Sequence, residues 1–154
     1  MGLPAAPSQL PLFGVETLLG QHFADTDPFR LFAQRIYPLL LRSRPELEKL
    51  YCLQNGRPAC EPVLLLGVTL LQFLHKLPDR AAMEALKYHL GWKLALQQEL
   101  SLEAPDPSLL CLFRQRLLEH GQGSLLFDTI LTALIEAGLV SRRGKRRLDS
   151  THVL

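Results

Sequence analysis

The chain has 154 residues, 47% hydrophobic and 21% charged, with a formal net charge of +2. That is the balance of one ordinary globular domain, and it excludes both wholesale disorder and a uniformly cationic nucleic-acid coat. The charge is segregated, however: residues 142–147 carry five of the 17 Lys and Arg, leaving 12 cations against 14 acids in residues 1–140, so affinity for phosphate is expected at that end.

In chain order, residues 1–28 contain Pro4, Pro7, Pro11 and Pro28 with several Gly, and predict an extended arm. Asp27-Pro28 is a helix start, an acid at the cap followed by Pro at the first helical position. The helix that follows carries Pro38 in its interior, so it either ends near Tyr37 or kinks there. Residues 46–53 continue helical, and Asn55-Gly56-Arg57-Pro58 reads as a turn. Residues 63–77 have polar side chains only at Thr69, Gln72, His75 and Lys76, the pattern of a central bundle helix. Its longest apolar run, residues 63–74, is far short of the roughly 20 residues that cross a bilayer, so no membrane partner is expected.

Pro78-Asp79 breaks and recaps the chain. Residues 80–90 then place Met83, Leu86 and Leu90 opposite Arg80, Glu84 and Lys87, with Gly91 as the stop. Residues 92–100 form a further helical piece. Asp106-Pro107-Ser108 opens a helix over residues 109–120 that stops at Gly121, and Ser124 caps another over residues 125–137. Trp92, Phe73 and Phe113 are expected in the core. The prediction is an all-α bundle of about six helices with a helix-turn-helix-like pair, residues 62–77 and 80–90. Residues 1–28 are its arm, 29–140 its body, and 141–154 a basic linker leading into a short β-like tail.

Three features bear on chemistry. Arg114, Gln115 and Arg116 lie on a short, well-capped helix; they suit DNA contact, where Arg and Gln read base edges, or simply solvate an amphipathic face. Arg142, Arg143, Lys145, Arg146 and Arg147 suit a phosphate backbone, or form a solvated basic linker or a localisation-like patch. His22, His75, His89, His120 and His152 show no metal-ligand spacing with one another or with Cys52, Cys60 and Cys111. The odd cysteine count, the lack of a C-x-x-C spacing and the absence of a signal-peptide pattern predict a reduced, cytoplasmic setting. A Ser/His/Asp triad from Asp149, Ser150 and His152 fails, because side chains on one strand alternate faces.

The stretch Arg147-Leu148-Asp149-Ser150-Thr151-His152-Val153 resembles the first strand of the catalytic core of insertion-sequence transposases of the DDE class. Upstream, Gly56-Arg57-Pro58 leading into Pro62-Val63-Leu64-Leu65-Leu66, then Leu77-Pro78-Asp79-Arg80-Ala81-Ala82-Met83-Glu84-Ala85-Leu86, is similar to the helical N-terminal domain of those enzymes. Pro107-Ser108-Leu109-Leu110-Cys111-Leu112-Phe113-Arg114-Gln115-Arg116-Leu117 is similar to its S-T-L-x-x-F-R-x-R-L stretch, with Leu109-Leu110 where Ser/Thr-Leu is usual. The resemblance covers about residues 55–154 and lies in the order and spacing of three motifs.

The resemblance implies that the helical domain binds double-stranded DNA at terminal inverted repeats and pairs subunits. It further implies an RNase H-like core in which three acids hold two Mg²⁺ ions, one activating the attacking oxygen and the other stabilising the leaving oxygen. Asp149 maps onto the first of those acids, as a catalytic and metal-binding residue. The second and third acids do not appear within these residues, so the resemblance implies a catalytically incomplete, truncated transposase without stable Mg²⁺ binding. Alternatives are a freestanding module that represses or pairs with a full-length transposase or forms a homo-oligomer, and a decayed reading frame.

Overall fold

The acids and prolines that mark helix starts in the sequence set them in three dimensions. The computed structural model describes residues 12–51 and 60–121, together with 123, 124, 127, 128, 131, 132 and 135. Within the expected arm, α1 (Val15–Leu19) and a 3₁₀ turn (Gly20–His22) are already helical. They are tied down from two sides. Gly14 bridges Glu99 in antiparallel fashion, and the Arg30 guanidinium donates to the carbonyls of Gly20 and Phe23, both at 2.7 Å.

Asp27 opens α2 (Pro28–Leu31), its carboxylate accepting from Phe29 N at 2.8 Å and Arg30 N at 3.3 Å. The chain runs on through a π-helical turn (Phe32–Ile36) into α3 (Tyr37–Arg42). The break expected near Tyr37 is therefore a local widening: Tyr37 N bonds back to Phe32 O, five residues away, immediately before Pro38. A proline ring collides with the carbonyl four residues earlier, and a wider turn is one way to accommodate it. α4 (Arg44–Glu48) starts and stops earlier than the sequence suggests, and its end passes into a turn at Lys49. The predicted turn at residues 55–58 lies outside the described residues.

α5 (Pro62–His75) begins at Glu61, whose side chain accepts from Val63 N, and has Pro in its first turn. Pro62 through Val68, and Leu71, are buried. Around α5 pack α3, α4, α6 (Asp79–Tyr88) and α8 (Ser108–Glu119). Each such buried leucine contributes about 2 kcal/mol relative to exposure. α6 turns Ala82, Met83 and Leu86 inward, and α8 turns Leu110, Phe113 and Leu117 inward. Asp106 accepts from Ser108 N at 2.8 Å at the start of α8, as its sequence predicts.

Several expectations are corrected. Gly91 does not end a helix: it is buried inside α7 (Leu90–Ala95), and the break falls at His89, which is extended and accepts from Trp92 N through Nδ1. Leu90 is accordingly exposed rather than part of the α6 core face. α7 stops at Ala95, well before Leu100, because Gln97 takes a left-handed conformation with φ 53°. Trp92 and Phe113 are core residues, but Phe73 is 82% exposed because the last turn of α5 projects past the packed body. Gly123 and Ser124 are both helical, so that helix does not start at a Ser124 cap. The fold is all-α; among the described residues the β-type pairing is the single bridge at Gly14.

Candidate nucleic-acid interface

The turn between α5 and α6 is three residues long and is held from within. Lys76 takes φ 54° and ψ 43°. Leu77 N then reaches Gln72 O at 3.0 Å and Lys76 N reaches Phe73 O at 3.3 Å. This paired closure usually uses glycine; a lysine there carries a cost of about 1–2 kcal/mol. Pro78 follows in extended conformation, and α6 starts at Asp79.

α8 reaches this turn through Arg114. Its Nη1 donates to Asp79 Oδ1 at 3.0 Å and its Nη2 to Asp79 Oδ2 at 2.6 Å, a two-pronged contact that fixes orientation as well as distance. Nη1 also donates to Gln72 Oε1 at 3.2 Å, and Gln72 Nε2 donates to Asp79 Oδ1 at 2.6 Å. Three helices are thus joined by three side chains. Arg114, and then Gln72, hold the Asp79 carboxyl below the usual carboxylate range, and Asp79 in turn raises Arg114. Beside this cluster lies an open groove of about 500 Å³, lined by Thr69, Gln72, Phe73, Lys76, Leu77, Asp79 and Arg114.

The residues singled out in the sequence are placed differently from one another. Arg114 is engaged by Asp79 and Gln72. Gln115 is exposed on α8 and donates to Glu119 Oε1 at 2.7 Å. Arg116 lies over the Tyr51 ring at 4.8 Å from its centroid. Arg142, Arg143, Lys145, Arg146, Arg147 and Asp149 lie outside the described residues. Among the described residues no group of three or more His, Cys, Asp or Glu side chains could hold a metal ion.

Sequence reasoning found Arg114 but missed its partners. Asp79 lies 35 residues away and Gln72 lies 42 away. Each reads locally as a helix-start acid or a solvated amide, and no spacing rule links them. Two of the histidines make ring contacts: His75 stacks on Phe29 with ring centroids 5.6 Å apart, and His89 meets the same ring at 5.1 Å. Burial, with Glu61 close by, pushes the Cys60 thiol up to about 11, which keeps it protonated and unreactive, while Cys111 is exposed. No described helix is long and apolar enough to cross a membrane.

An all-α domain built on a central helix, with a short turn pinned by a third helix, is the class of protein these features define. The chain belongs to the family described as Transposase domain (DUF772), and the match covers residues 18–116. That range takes in α2 to α7, most of α8 and the whole Gln72–Asp79–Arg114 cluster, and it assigns the chain a role connected with transposition. No curated protein and no solved structure matches the chain.

Proposed function

We propose that residues 29–140 form the DNA-binding domain of a DDE-type insertion-sequence transposase that recognises the terminal inverted repeats as double-stranded DNA. The observation that carries this reading is the family match across residues 18–116, which includes both the α5–turn–α6 pair and most of α8. The pair has helix-turn-helix proportions, and α8 presents Gln115 on its exposed face. In this reading Arg114 serves by fixing α8 against α5 and α6, Gln115 and Arg116 flank the DNA, and Arg142, Arg143, Lys145, Arg146 and Arg147 follow the phosphates. Asp149 is the first metal-holding acid of the catalytic core, with Mg²⁺ as the family's cofactor.

The test is footprinting and gel shift with duplex DNA from the flanks of the gene. Protection of inverted-repeat sequence, weakened as salt rises, is the expected result. Equal affinity for unrelated duplex would overturn end recognition. A second reading is pairing with another transposase subunit; it is favoured by Leu112, Leu118 and Phe127, large apolar side chains left exposed among the described residues. Association with a full-length transposase together with indifference to DNA would decide for it.

A further inference from the structure

We infer that the groove between α5, the start of α6 and α8 receives a single unpaired nucleotide of a DNA substrate, with its base on Phe73 and its phosphate at Lys76. This rests on the DNA-binding reading above and deepens it by naming a structural feature of the DNA.

Phe73 is the starting point. A large aromatic ring left 82% exposed forfeits the burial that normally stabilises it, yet here it forms one wall of a groove of about 500 Å³. That volume lies in the range of sites for small organic groups. The lining has the chemistry of a nucleotide. Phe73 and Leu77 give an apolar surface for the flat face of a base. Gln72, Asp79 and Arg114 give an edge of donors and acceptors that their mutual hydrogen bonds hold in place before any ligand arrives. Lys76 supplies the cation: it is exposed, makes no ion pair among the described residues, and has its backbone fixed by the two closing bonds of the turn.

This combination selects between candidate occupants. An apolar peptide would use Phe73 and Leu77 but would leave the Lys76 cation without a partner and the remaining donor and acceptor sites of the polar edge unused. A nucleotide uses all three. In intact duplex the face of a base is hidden in the stack, so an aromatic platform of this kind favours a base that is already unpaired or costs little to unpair.

Fluorescence titration of the full chain tests this with two probes: a blunt duplex, and the same duplex carrying a short single-stranded overhang that contains 2-aminopurine. The overhang substrate should bind about tenfold tighter than the blunt one, the scale of one stacked base, and its fluorescence should be quenched on binding. Phe73→Ala should remove both the preference and the quenching while leaving blunt-duplex affinity unchanged, and Phe73→Trp should keep them. Lys76→Gln, at a second exposed position, should weaken overhang binding in the same direction and guards against a folding defect in the first variant. Overhang preference that persists in Phe73→Ala overturns the inference, as does a change of oligomeric state with DNA affinity intact. Blunt and overhang duplexes bound equally well sink this inference alone, whereas no binding to either sinks the DNA-binding reading with it.

Discussion

Asp79 is the residue on which three helices converge, and its charge makes the contact sensitive to acid. With Arg114 and Gln72 bound to it, the carboxyl ionises more readily in the folded chain than in the unfolded one. Its stabilising contribution is therefore complete above the ordinary carboxylate range, near pH 4, and disappears as pH falls through the depressed folded value. Both side chains are about a third exposed, so solvent screening keeps the pair to about 1 kcal/mol. Asp79→Asn should lower the urea midpoint modestly at pH 7 and should flatten its decline between pH 5 and pH 3. Parallel declines in the two proteins would show that other carboxylates govern the acid limb. Lys93 shows a different logic at the same scale: it is 2% exposed, and its ammonium donates to the carbonyls of Glu99, Leu100 and Leu102 at 3.2, 2.7 and 3.1 Å. Burial pulls its pKa down, while those three carbonyls occupy its three donors. It anchors the loop after α7 rather than facing a ligand.

At the scale of elements, packing depends on close approaches that only glycine permits. A Cβ on Gly91 would stand 2.5, 2.7 and 2.8 Å from three atoms of the Phe29 ring, so the whole ring would have to move. That ring also carries the contacts to His75 and His89 that link α2 to α5 and to the α6–α7 junction. Gly91→Ala should therefore destabilise the fold by about 1–3 kcal/mol, an overpacking cost reduced by alanine's better helix propensity of about 1 kcal/mol. Adding Phe29→Ala should recover part of the loss, so the double variant should be more stable than the sum of the two single effects implies. Urea denaturation of the four proteins of this cycle decides it; strict additivity would mean that the ring does not oppose the new methyl group. The same contrast explains what the sequence could reveal. Asp27 and Asp106 mark helix starts in the sequence because a cap is a local interaction, satisfied within two or three residues. Gly91 was misread as a stop because its reason for being glycine, the Phe29 ring, is 62 positions away. The π-helical turn before Pro38 and the left-handed Gln97 were hidden for a related reason: several local conformations were open at each, and tertiary packing selected one.

For the whole molecule, the organising fact is the separation of charge from the helical body. Residues 1–140 carry 12 cations and 14 acids, and five further cations sit within residues 142–147. Within the body, the cations most visible in the sequence are partly spent internally: Arg114 on Asp79, Arg44 on Glu48 and Glu61, and Lys87 on Glu103. The candidate site was therefore legible in the sequence only as composition, a basic stretch and one polar helix. The groove itself was not, because it forms where α5, α6 and α8 meet. Charge separation also makes a quantitative prediction for the proposed DNA binding. If the five cations of residues 142–147 each displace one counterion, they contribute up to about −4.5 to the slope of log affinity against log salt. Replacing Arg142, Arg143, Lys145, Arg146 and Arg147 together with Gln should cut the slope by that amount and weaken binding to every duplex alike, since phosphate contacts carry no sequence information. The residual slope then measures the cations of the body, among which Arg116 and Lys76 are the proposed contacts, and any preference for inverted-repeat ends should survive the five substitutions. A slope unchanged by the five substitutions would place the phosphate contacts on the helical body and would remove the basic stretch from the interface.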